Sequence, residues 1–150
     1  MVDHVTYGIR HHAVTRFPEI GDLEQIAAAE GHPFVTRTRH EWEAGINRFD
    51  QPGENFFVVV EDGQTVGMCG LNIDPYLKDP TVGRLRHLYI HPRRRQAGVA
   101  AVLVEACLSA APGTFGRVRL RTSNPAADAL YRSLGFSNVK QATATHEWRS

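Results

Sequence analysis

Apolar positions along this chain recur with two different periods, and the changes between them mark an alternation of strands and helices. Val5 to Arg10 reads as a first strand. Glu19 to Glu30 places Ile20, Leu23, Ile26 and Ala27 on one helical face, and Gly31-His32-Pro33 ends it. Glu41 to Phe49 reads as a shorter second helix, with Trp42, Ile46 and Phe49 inward. Phe56 to Val60 and Thr65 to Ile73 flank Asp62-Gly63, and Asp-Gly between two apolar runs is a strong hairpin signal. The unbroken apolar run of the first arm implies a strand covered on both faces.

Beyond a loop bounded by Pro75 and Pro80, Arg84 to Ile90 forms a strand. Val99 to Ala111 forms a helix with Leu103, Ala106, Cys107 and Ala110 inward, and Glu105 and Ser109 outward. In the next strand, Arg117 to Ser123, the residues Val118, Leu120 and Thr122 oppose Arg117, Arg119 and Arg121. A helix over 126–134 has both ends marked: Asn124 can cap it, Pro125 suits its first position and Gly135 follows its end. A last strand lies near Ala142 to Arg149. Strand–helix–strand around residue 100 implies a parallel pair joined by a right-handed crossover. The expectation is an α/β fold, a mixed sheet covered by helices. A chain of 150 residues with 42% apolar content suits one domain spanning 1–150.

One strand breaks its own rhythm. In Arg84 to Ile90 the apolar positions are Leu85, then Leu88 and Ile90, so the inward face changes phase between Arg86 and Leu88. One extra residue, a β-bulge, repairs the phase and frees backbone groups for a ligand. The alternative is a strand buried on both sides, with His87 packed in the core.

Charge sharpens the picture. Lys plus Arg number 17 against 16 Asp plus Glu, so no global field draws polyanions. Yet Pro80 to Val104 holds no acidic residue and five arginines, which points to a small anionic ligand. The sequence His91-Pro-Arg-Arg-Arg-Gln-Ala-Gly-Val-Ala100 carries three of them between a strand and a helix. A helix start offers free N–H groups and a positive dipole. Ala97 and Gly98 let phosphate oxygens approach the backbone, and Arg95 adds a charge able to engage phosphate bidentately. Arg93 and Arg94 read as rim or solvent residues.

The cysteines, Cys69 and Cys107, lie in apolar runs and read as small buried hydrophobes. The first twenty residues are polar and no run approaches membrane length, so a cytoplasmic, reduced setting without membrane contact is expected. The eight histidines show no paired ligand spacing, and no metal is expected.

The stretch "LRHLYIHPRRRQAGVAAVLVEAC", followed by "RVRLRTSNPAADALYRSLGF", resembles the GNAT superfamily of acetyl-coenzyme A-dependent N-acetyltransferases. The likeness covers about residues 54–139 and includes the family's R/Q-x-x-G-x-G/A diphosphate loop. It implies a mostly antiparallel central sheet with a bulged, splayed central strand and about four flanking helices. Acetyl-CoA would be the co-substrate and an amine the acceptor. Backbone groups of Leu88 and Ile90 would pair with the pantetheine arm. An N–H near Tyr89 or Ile90 would hold the thioester oxygen as charge develops. The N–H groups of Gln96, Ala97, Gly98, Val99 and Ala100, with Arg95, would take the diphosphate. Asn124 would contact the cofactor arm, and Tyr131 would act as general acid toward the leaving thiolate. Similar proteins also form homodimers through their last strands.

Two departures matter. Gln96 and Ala100 stand where glycine is common in the loop, and Arg86-His87 stand where many relatives carry a Glu. An amine of pKa about 10.4 must lose a proton before it attacks. His87 is a tentative base, with Glu61, Asp74 and Glu43 as others; a structural histidine is the competing reading. Glu41, Glu43 and Asp74, if placed near the mouth, would favour a cationic amine; a solvated surface is the preferred reading of each. Two other classes stay open: a non-catalytic acyl-CoA sensor or scaffold, and a nucleic-acid binder using Arg84 to Arg95 with Arg117, Arg119 and Arg121. The even charge and the lack of interleaved aromatics argue against the second.

Overall fold

The computed structural model describes residues 3–150. Among the described residues the chain forms eight strands and four α-helices: β1 (His4–Thr6), β2 (Ile9–Ala13), α1 (Leu23–Ala29), α2 (Phe34–Glu43), β3 (Asn55–Glu61), β4 (Gln64–Ile73), β5 (Val82–Ile90), α3 (Val99–Ala110), β6 (Arg117–Leu120), α4 (Pro125–Ser133), β7 (Ser137–Gln141) and β8 (Ala144–Arg149). They build one sheet in the order β1-β2-β3-β4-β5-β6-β8-β7. Every neighbouring pair is antiparallel except β5 with β6. This is the mixed, mostly antiparallel sheet flanked by four helices that the sequence leads one to expect.

Apolar side chains pack in two clusters. Along β3, Phe57 and Val59 join a core with α3, while Phe56 and Val58 join one with α1 and α2. Both faces of that strand are therefore covered, as its unbroken apolar run implies. On β4, a Cβ at Gly67 would stand 2.9 Å from Val99 Cγ1. A glycine there lets the first turn of α3 lie directly on the sheet, which fixes where that helix tip points.

Several boundaries differ from the sequence reading. The single strand over Val5 to Arg10 is a hairpin, because Tyr7 and Gly8 both adopt positive φ (51° and 75°) and reverse the chain between β1 and β2. Asp62 and Gly63 do the same between β3 and β4, as expected. The first helix is only Leu23–Ala29. The second begins at Phe34, directly after Pro33, and ends before Gly45 (φ 75°), so Ile46 lies outside it and is exposed. Trp42 and Phe49 are buried as predicted. The final strand is a pair, β7 and β8. Arg119, opposite Val118 in the alternation, is nevertheless buried, because β6 is covered on both sides.

Candidate active site

β5 carries the irregularity that its apolar phase demands. Arg86 pairs with Gly70 and Tyr89 with Met68, so His87 and Leu88 together face the single residue Cys69. His87 sits in the left-handed region at φ 61°. This is a β-bulge, and it aims the half of β5 beyond it away from its parallel neighbour.

The parallel pairing of β5 with β6 stops at the same level. Val82, Gly83 and Arg84 pair with Arg117, Val118 and Arg119, and beyond Arg84 the strands separate. A buried ion cluster holds the last paired rung. Asp74 Oδ2 accepts from Arg119 Nη1 at 2.9 Å and from Arg84 Nη1 at 3.3 Å. Its Oδ1 accepts from the amide of Tyr76 at 2.8 Å. Burial pulls the Arg84 guanidinium below its ordinary pKa, against the attraction of Asp74.

A cleft of about 1180 Å³ opens where the strands part. One wall is Leu85 to Ile90, the other Leu120 to Asn124 with Leu130 and Tyr131 of α4, and its end is the tip of α3. His91 donates its amide to Val66 O across the sheet at 2.8 Å. Since N–H groups alternate sides along a strand, the amides of Leu88 and Ile90 turn toward the gap.

At the α3 tip, Gln96 (φ 59°) and Gly98 (φ 85°) are both left-handed. Among the described residues, nothing accepts from the amides of Gln96 to Ala101, and the first bond into the helix is Val102 N to Gly98 O at 3.1 Å. Left-handed residues followed by a helix start gather such amides into an anion-binding concavity. Gln96 carries the strain of a side chain in that conformation, about 1–2 kcal/mol, where a glycine would carry none.

Arg95 is not free in this structure. Its guanidinium donates to both carboxylate oxygens of Glu30 at 2.9 and 2.5 Å, and its Nε donates to Ile90 O at 3.0 Å. The Tyr89 hydroxyl donates to the same carboxylate. Arg95 and then Tyr89 hold Glu30 down at about 2. Glu30, just past the end of α1, thus closes over the cleft from the opposite side, a partner with no local sequence signal.

Tyr131 lies in the cleft wall, its ring against Phe136 (5.4 Å) and His146 (5.8 Å). Burial first, then Cys69 and Cys107, push its phenol above the ordinary range, so it keeps its proton at any working pH. Asn124 caps α4, its Oδ1 accepting from Ala126 N at 2.9 Å, and it also lines the cleft. The cysteines are free and buried, with Cys107 Sγ 3.9 Å from Cys69 O.

His87, the tentative base, is half-buried at the bulge. It packs flat against Phe34 at 5.9 Å, and burial, then Arg86 and Arg37, pull its imidazole down to about 3. A group that binds a proton only near pH 3 is a poor acceptor for one from an ammonium. The other proposed bases lie elsewhere: Glu61 pairs with Arg94, Asp74 is buried between two arginines, and Glu43 pairs with Arg39. Several of the arginines are tied individually, Arg117 to Glu147 among them. Among the described residues no three His, Cys, Asp or Glu gather as a metal site, and no helix is long and apolar enough to cross a membrane.

A splayed parallel pair, a bulge beside it and an amide-lined helix tip at its end together describe a coenzyme A-dependent acyltransferase. The family model described as the acetyltransferase (GNAT) family matches residues 17–136, and the chain belongs to that family. It is 28% identical over 147 residues to an N-alpha-acetyltransferase of Sulfurisphaera tokodaii, covering 89% of this chain and 82% of that protein. A crystal structure from Exiguobacterium sp. 255-15, provisionally called an acetyltransferase, superposes with a TM-score of 0.80 at 27% identity, over 93% of this chain and 91% of that one. N-acetylglutamate synthase from Neisseria gonorrhoeae, solved with coenzyme A and N-acetyl-glutamate, shares the fold. Its TM-score is 0.64 at 16% identity, over 93% of this chain and 35% of that one. The protein is thus an acyltransferase that draws its acyl group from acetyl-CoA.

Proposed function

We propose that this chain acetylates a primary amine by direct attack on the thioester of acetyl-CoA. The observation that carries the reading is the set of unpartnered amides at Gln96 to Ala101, at the end of a gap whose wall presents the amides of Leu88 and Ile90. In this reading the diphosphate sits on Gln96 to Ala100, and Arg95 exchanges Glu30 for phosphate or steers through it. The pantetheine arm runs beside Leu88 to Ile90, and Asn124 borders it across the gap. The amine nitrogen attacks the carbonyl carbon, and negative charge on the carbonyl oxygen is met by an amide of the bulged strand. The C–N bond forms, the C–S bond breaks, and the departing thiolate takes the Tyr131 proton. The new amide nitrogen sheds its proton to water, and Tyr131 is reprotonated from solvent. No covalent enzyme intermediate is invoked, since both cysteines are buried in the core.

No side chain of the cleft is assigned as base. The amine then enters neutral, or loses its proton through water, and kcat/KM rises with pH toward the acceptor's own pKa. The test is thiol release from acetyl-CoA with and without added amines, with the acetylated product identified by mass. Release that depends on the amine supports transfer. Tight acetyl-CoA binding with no acceptor-dependent release across a broad amine panel would instead favour the sensor reading.

A further inference from the structure

Six arginines line the cleft, and four of them are engaged. Arg84 binds Asp74, Arg94 binds Glu61, Arg95 binds Glu30, and Arg121 donates to Ala142 O. Arg37 on α2 and Arg86 on β5 make no ion pair or side-chain hydrogen bond among the described residues. Both lie close enough to His87 for their charges to act on its imidazole. The cleft wall beside them also holds His87, whose Nε2 is buried without a hydrogen-bond partner. Asn72, Arg86 and Tyr76 also line an adjoining cavity of about 590 Å³, so Arg86 and Tyr76 stand at the doorway between the two spaces.

These charges lie at the wrong end for the cofactor's phosphates. Arg86 precedes the bulge, and from there to Ile90 the strand advances only as far as Gly70 to Gly67 on its neighbour, about 10 Å at about 3.3 Å per residue. The diphosphate loop begins further on still. A cofactor with its diphosphate at the α3 tip reaches the bulge only with its acyl end, which carries no charge. Two guanidinium groups beyond that end therefore face the incoming acceptor. A cationic acceptor would meet like charge there, and a neutral one would leave both guanidiniums unanswered.

We propose that the acceptor is a small amine bearing a compact anion, carboxylate or phosphate, which Arg37 and Arg86 hold while the amine reaches the thioester. This deepens the acetyl-transfer reading and rests on it. It also reverses the expectation of a cationic amine: Asp74 is buried among arginines and Glu43 is paired with Arg39, so neither faces the acceptor. Glu41 lines the adjoining cavity with Asp50 and Glu54, on the far side of Arg86 from Leu88 to Ile90.

The test compares alanine, serine and valine with their carboxamides and their decarboxylated amines, alongside O-phosphoethanolamine and spermidine. The expected result is a kcat/KM for the anionic member of each set about tenfold or more above its uncharged relative. Arg37→Gln and Arg86→Gln should each raise the acceptor KM and shrink that ratio, with the KM for acetyl-CoA little changed; Arg86→Lys should restore part of the loss. Arg37 is exposed on its helix, so its substitution spares the fold. A preference for amino acids names carboxylate, and one for O-phosphoethanolamine names phosphate. Preference for spermidine, or equal use of acid and carboxamide, overturns the proposal while leaving acetyl transfer intact. If no amine releases thiol, the transfer reading fails, and calorimetric titration of glutamate and O-phosphoethanolamine into coenzyme A-loaded protein decides the anion site separately. Binding that Arg86→Gln abolishes supports it; no binding of either overturns it.

Discussion

Replacing Asp74 with alanine should unfold this protein more readily than any exposed-charge substitution. The carboxylate is 1% exposed, and the two guanidiniums it joins, Arg84 and Arg119, are 7% and 2% exposed. Without it, Arg119 keeps Thr143 Oγ1 (2.7 Å) and Gln141 Oε1 (3.2 Å), and Arg84 keeps Thr143 O (2.9 Å). Those bonds satisfy hydrogens but leave two buried positive charges without a counter-ion. Removing one partner of a buried pair typically costs about 3–5 kcal/mol. Set against a total stability of about 5–15 kcal/mol, that is a large share. For a domain of this size it corresponds to a fall of roughly 6–20 °C in Tm. Urea unfolding of wild type and Asp74→Ala measures it directly. Adding Arg84→Met and Arg119→Met to Asp74→Leu should recover most of the loss, because an apolar set leaves no buried charge. A loss below about 1 kcal/mol, the scale of an exposed pair, would refute the reasoning and mean that water reaches the cluster. The substitution should also weaken acetyl-CoA binding, since Arg84 and Arg119 form the last rung before the gap.

Three further outcomes follow from the same geometry. Gly98→Glu should lower coenzyme A affinity by about a hundredfold or more by calorimetry, because it sets a like charge in the phosphate cradle. Gly98→Ala, whose Cβ would meet only Ile9 Cδ1 at 3.8 Å, should show mainly the strain of φ 85°; equal affinities for wild type and Gly98→Glu would remove the loop from the site. Tyr131→Phe should reduce kcat about a hundredfold with coenzyme A affinity nearly intact, the general-acid range, and unchanged turnover would end that role. His87, held near pH 3 in the fold, stays neutral while the unfolded chain's histidine takes a proton below pH 6.5. Stability present above pH 6.5 is therefore lost on acidification, by up to about 1.4 kcal/mol per pH unit until pH approaches 3. His11 is also lowered, by burial and by His4 and His12, and adds to the same limb. His87→Asn, suited to the left-handed backbone there, should shallow that limb in urea titrations across pH; an identical slope would contradict it.

Much of the architecture could be read from local pattern, and the misses share a physical origin. The phase break between Leu85 and Leu88 is a bulge because a period-two signal cannot shift without an extra residue. The Asp62-Gly63 hairpin and the α4 boundaries came from residues whose backbone demands are local. Tyr7-Gly8 carried the same kind of signal but lay in a short polar stretch with no apolar arms to frame it. The second helix starts earlier than its sequence pattern suggests, because Val35-Thr36-Arg37-Thr38 has weak helix propensity. Packing of Val35, Thr38 and Trp42 overrides that, and Pro33 was the start signal rather than only a stop. The site divides in the same way. The amide-lined tip at Gln96 to Ala100 is contiguous, so its small residues stand together in the sequence. Glu30 meets Arg95 across 65 residues, and Asp74 meets Arg119 across 45, so neither partner is visible without the fold. For His87 the residue type allows both a base and a structural histidine, and its stacking on Phe34 with a lowered pKa supports the structural reading.

Amide chemical-shift mapping on addition of coenzyme A tests the cofactor placement most directly. The account predicts that the largest changes fall on Gln96 to Ala101, with Leu88 and Ile90 following across the gap from Leu120 to Asn124. Saturable binding whose changes cluster elsewhere, with the α3 tip unmoved, would contradict it.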